Sequence, residues 1–109
     1  MPLRTPMLNH NYLLVQTSSL PDLVLVEVPK IEHAELNDQI EFFVRINDRD
    51  QLVNRIVITA DTTFPLVCPI PKEVFSEDIK FITAELYYLH IRSQDGNMDR
   101  SPMLTLLLI

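Results

Sequence analysis

The stretch Gln39-Ile40-Glu41-Phe42-Phe43-Val44-Arg45-Ile46 decides the fold class. Apolar side chains recur at every second position (Ile40, Phe42, Val44, Ile46), the period of a strand with one face on a core, while Glu41 and Arg45 opposite them suit water. That division marks an antiparallel sheet covered on one side. Upstream, Val24, Val26 and Val28 repeat it along 23–28. Downstream, 54–60 is β-branched (Ile56, Val57, Ile58, Thr59), 66–70 is short and broken by proline, 81–91 is long, and 103–109 alternates Leu104, Leu106 and Leu108. With 12–15 counted, the chain offers seven strands.

Asn37-Asp38, Asn47-Asp48-Arg49-Asp50, Ser76-Glu77-Asp78 and Asp95-Gly96-Asn97 punctuate these runs. Their side chains bond their own backbone or tolerate positive φ. Gly96, the one glycine, is expected to take the left-handed conformation. Only 71–75, opened by Pro71, suits a helical turn. Pro2, Pro6, Pro21, Pro29, Pro71 and Pro102 fall at run ends or in loops, and Pro65 and Pro69 confine 66–68 to a sheet edge or an irregular strand. In 81–91 both faces are apolar: Ile82, Ala84, Leu86 and Tyr88 against Phe81, Tyr87, Leu89 and Ile91. That strand is therefore either covered on both sides or bulged midway.

At 109 residues, with 47% apolar and 22% charged, the chain is one packed domain's worth and needs no disulfide or metal staple. Its net charge of -6 lacks the cationic surface that binds nucleic acid or anionic membranes. Cys68 is alone, so no internal disulfide points to an oxidising compartment. The N-terminus has no secretory pattern, and no apolar run approaches the roughly 20 residues of a membrane span. The expectation is a soluble protein, cytoplasmic as synthesised, with non-classical export left open. Residues 1–20 are expected to be a leader, partly mobile or added as an edge strand, and 21–109 the folded domain.

Three further segments belong together. Val26-Glu27-Val28-Pro29 precedes Asn37-Asp38 and the alternating strand; Leu66-Val67-Cys68-Pro69-Ile70-Pro71-Lys72-Glu73-Val74 follows; Leu86-Tyr87-Tyr88-Leu89, Asp95-Gly96-Asn97 and Ser101-Pro102-Met103-Leu104-Thr105-Leu106 close the chain. In order and spacing this resembles the bacterial immunoglobulin-like sandwich modules found, often in tandem, in surface and repeat proteins of pseudomonads and related proteobacteria. The resemblance runs from about 23 to 109. It departs at Asn37-Asp38, where such modules usually carry Gly-Asp, and in having no tryptophan. It implies an immunoglobulin-like antiparallel β-sandwich of about seven strands, used in that family as a spacer, adhesive or recognition element.

Chemistry-bearing residues are sparse. His10, His33 and His90 lack metal-ligand spacing. Cys68, beside Val67 and Ile70, reads as a buried, inert thiol. The serines lack a nucleophile elbow, and a single glycine cannot build a phosphate loop. Asp48, Asp50 and Asp61 are oxygen-rich, but Arg49 among them favours a solvated turn over calcium. No catalytic residue, metal, cofactor or small-molecule substrate is expected, nor binding to nucleic acid or insertion into a membrane. Two surfaces are candidates for protein contact. Leu23, Leu25 and Phe43 lie opposite the core-facing positions, while Glu27, Glu32, Glu35 and Glu41, with Asp38, form an acidic stretch that complements a basic partner. The expected function is a non-catalytic protein-binding or self-associating structural module of bacterial origin; the alternative is an acidic inhibitor or immunity-type protein that neutralises a basic partner.

Overall fold

In the computed structural model, which describes residues 3–8, 14–15, 22–75 and 82–108, more than half of the described residues lie in strands. In chain order they are β1 (Met7–Leu8), β2 (Leu14–Val15), β3 (Leu23–Val28), β4 (Gln39–Ile46), β5 (Arg49–Val57), β6 (Leu66–Pro71), β7 (Ile82–Ile91), β8 (Met98–Arg100) and β9 (Leu104–Leu108). Seven of these have three residues or more. They form a three-stranded sheet, β1-β3-β6, and a six-stranded one, β2-β9-β7-β4-β5 with β8 also beside β7. All pairings are antiparallel except that of β2 with β9.

The alternation read from the sequence becomes the core. Val24, Val26 and Val28 of β3 and Cys68 and Ile70 of β6 share one cluster with Ile40, Phe42 and Val44 of β4, Leu86 and Tyr88 of β7 and Leu106 of β9. Each of those side chains is buried, so the inner faces of the two sheets close on each other. β7 pairs with β4 in unbroken register, and Tyr87, on the outer face, is buried too. The two-faced strand is therefore not bulged against β4; its outer face is buried at Tyr87 and half-buried at Leu89 and Ile91, and Phe81 lies outside the described residues.

The irregularity lies in β5 instead. Phe42 pairs with Asn54 but Phe43 with Leu52, leaving Val53 as the extra residue of a bulge. Val53 packs against the core. The turn before it is also tighter than the sequence suggests. Asn47 and Asp48 have φ of 53° and 60°, the two positive values of a two-residue hairpin whose twist matches its strands. Arg49 and Asp50, read as part of the turn, thus open β5, which begins earlier than 54–60 and ends at Val57.

β8 and β9 are two halves of one interrupted strand. Leu89 pairs with Arg100 and Leu86 with Leu104, so three residues, 101–103, span the place of two on β7. Pro102 has no N–H to give to a ladder. Ser101 bridges the gap: its N–H donates to Tyr88 O at 2.9 Å, and its Oγ accepts from Tyr88 N at 2.9 Å. A 3₁₀ turn, Lys72–Phe75, follows β6, and Gly96 has φ 71°. No helix is long and apolar enough to cross a membrane among the described residues. The expected turn at Ser76-Glu77-Asp78 lies outside the described residues, as do most of 1–20.

Candidate functional site

The outer face of the small sheet is the first candidate. Because β3 turns Val24, Val26 and Val28 inward, Leu23, Leu25 and Glu27 point out. Register sets Leu23 beside Pro71, Leu25 beside Pro69 and Glu27 beside Val67. Leu23, Leu25 and Val67 are 52%, 40% and 49% exposed, and both prolines are exposed with them. Sequence reading found the two leucines; Val67, Pro69 and Pro71 join them only through the β3–β6 register.

The free edge beside this face is blunted. Lys72 N donates to Asp22 O at 3.0 Å, which sets the phase of the ladder: Cys68 and Ile70 turn their N–H groups to β3, whereas the nitrogens of Val67, Pro69 and Pro71 face away. Two of those three nitrogens carry no hydrogen, so β6 loses no internal bond and offers little to a foreign strand.

Phe43 lies on the opposite exterior, the outer face of the large sheet. It stacks on Tyr87 at 5.2 Å with an interplanar angle of 8°, and the Arg100 guanidinium covers Tyr87 at 4.3 Å. Tyr87 donates its hydroxyl to Asp50 Oδ1 at 2.7 Å. Burial, reinforced by that carboxylate, pushes the Tyr87 hydroxyl up to about 12. Phe43 is thus half-buried under its own neighbours.

The acidic residues are dispersed. Glu27 is on the outer face of the small sheet and Glu41 on that of the large one, where Arg55 Nε donates to its Oε2 at 2.8 Å. Glu32 and Glu35 are exposed in the intervening loop. Asp38 leaves the surface altogether. It is 2% exposed, and its Oδ2 meets Nε2 of the equally buried His90 at 2.7 Å. Two backbone donors complete the carboxylate: Glu35 N on Oδ2 and Ser93 N on Oδ1, each at 3.0 Å. Burial pushes the Asp38 carboxyl up, but these N–H groups and His90 outweigh it and hold the carboxyl at about 2.

Above this pair lies an open cleft of about 60 Å³. Leu3 and Arg4 of the N-terminal segment form one wall, and Lys30, Ile31, Glu32 and His33 another. His90, Arg92 and Asp99 close it from β7 and β8. The sequence held a signal for the pair: Asp38 and His90 each occupy the inward phase of an otherwise apolar strand face, and Ile40 pairs with His90.

Cys68 is fully buried, and burial pushes its thiol up to about 11. Asp48 is engaged by Arg45 at 3.5 Å, and no group of three metal-ligating side chains occurs among the described residues. Comparison of the chain with family models, curated proteins and solved structures finds no match in any of the three.

Proposed function

We propose that the protein is an immunoglobulin-like β-sandwich acting as a non-catalytic structural module that binds a second copy of itself through the outer face of its small sheet. Strand order supports the fold. In immunoglobulin lettering, β1-β3-β6 reads A-B-E, and β9-β7-β4-β5 reads G-F-C-C′.

The observation that carries the function is the apolar exterior of Leu23, Leu25, Val67, Pro69 and Pro71 on a sheet whose adjacent edge is blunted by proline. Edge pairing being disfavoured, faces pack. A two-fold axis through the Leu25–Pro69 pair sets the Leu23–Pro71 row of one copy on the Glu27–Val67 row of the other, so Val67 meets apolar surface in both halves and Glu27 is the one charged side chain of the two rows. Such a patch offers roughly a few hundred Å², short of the about 800 Å² per partner that stable complexes bury. Association is therefore weak for single modules and grows by avidity when modules are held together. Sedimentation velocity across micromolar to millimolar concentration tests this. A monomer–dimer equilibrium that Leu25→Asp abolishes is expected; a monomer at every concentration overturns the reading.

A further inference from the structure

The cleft over Asp38 and His90 has no part in that face-to-face packing. We propose that it is a binding site for one oxyanion group, a carboxylate or a phosphate, held by Arg4, Lys30 and the Nδ1 of His90. Three observations carry this.

The first is the state of the imidazole. Asp38 accepts at both oxygens, so the His90 nitrogen facing it carries the hydrogen and donates. Nδ1 remains. The hydrogen bond of His90 to Asp38 is through Nε2, and its ring forms part of the cleft. The cleft that the ring lines can supply a partner for Nδ1. A carboxylate-oriented imidazole that takes a proton there becomes a donor to an anion.

The second is charge. Arg4, Lys30 and Arg92 line the cleft with Glu32 and Asp99, and Asp99 is already engaged by Arg92 at 2.9 Å, which leaves Arg4 and Lys30 against Glu32. In a chain of net charge -6, a lining with one more cation than anion stands out, the Asp38 carboxylate being taken up by His90 and two N–H groups beneath it. The third is construction. A volume of about 60 Å³ suits one compact group rather than an extended ligand. The wall bearing Arg4 is tied to the core, since Tyr88 donates its hydroxyl to Arg4 O at 2.6 Å, and the loop bearing Lys30 is pinned by buried Ile31.

The experiment is a titration of ¹⁵N-labelled protein with sodium phosphate and, separately, sodium acetate at constant ionic strength and pH, read at the ring nitrogens of His90. Saturable shifts are expected, with Nδ1 moving toward its protonated signature as it takes a proton from water. The double substitution Arg4→Gln with Lys30→Gln should weaken binding at least tenfold, and Glu32→Gln should tighten it. Lys72→Gln, remote from the cleft, should change it less than twofold. Tighter phosphate assigns a phosphate ligand and tighter acetate a carboxylate. No saturation with either anion, saturation that leaves His90 unmoved, or affinity indifferent to Arg4 and Lys30 overturns the proposal.

Discussion

Asp38 is the residue on which the loop end of the molecule depends. Its carboxylate gathers the N–H groups of Glu35 and Ser93 and the imidazole of His90, tying the loop before β4 to the end of β7. Removing one member of a buried, hydrogen-bonded pair strands the other, at a cost of about 3–5 kcal/mol. Asp38→Ala is expected to lose that much in urea unfolding at pH 7. The same bonds set a pH dependence. Because the folded carboxyl sits at about 2, below its ordinary 3.8, its contribution is fully present above about pH 4 and is lost as pH falls through about 2. Wild type should therefore lose more stability than Asp38→Asn between pH 5 and pH 2. Tyr88 anchors the N-terminal segment in the same manner. Tyr88→Phe removes the bond to Arg4 O, and about 1 kcal/mol of destabilisation is expected, with faster hydrogen exchange in 3–8.

At the scale of elements, two interruptions define the large sheet, and each has a local cause. Ser101 accepts the Tyr88 N–H that Pro102 and its neighbours leave behind; Ser101→Ala orphans that donor in a buried site and should cost about 1–3 kcal/mol. At the β4–β5 hairpin, Asp48 holds φ 60°, a conformation glycine takes without strain. Asp48→Gly is expected to raise stability by about 0.5–1 kcal/mol in thermal unfolding. The alternation in β3, β4 and β9 made these strands legible in the sequence, because period two and a buried face are the same fact. β8 was not legible: Met98, Asp99 and Arg100 are all exposed, so no apolar period marks them. The start of β5 was hidden for a related reason. β5 is an edge strand whose first four residues are exposed, and Arg49 and Asp50 read as turn residues until the φ values of Asn47 and Asp48 confine the turn to two. The Asp38–His90 pair joins positions 52 apart, a distance that only the β4–β7 register closes.

Over the whole molecule, two sheets of unequal width share one core and leave different exteriors. The large sheet covers the middle of its outer face with Phe43 on Tyr87 under Arg100 and exposes Leu52, Val57 and Leu107 at separate places, whereas the small sheet sets Leu23, Leu25, Val67 and two prolines side by side. The proposed self-association rests on that continuity of apolar surface. A net charge of -6 on each copy opposes pairing through repulsion that salt screens, so added sodium chloride should strengthen self-association, the reverse of a charge-driven complex with a basic partner. Disulfide trapping tests the packing most directly. Buried Cys68, with its thiol pushed up to about 11, is a poor competitor for oxidation, so a thiol introduced by Leu25→Cys reports alone. The two-fold arrangement predicts that oxidised Leu25→Cys forms covalent dimers while Arg55→Cys, on the outer face of the large sheet, stays monomeric. Equal crosslinking of both variants, or none in either, would contradict it.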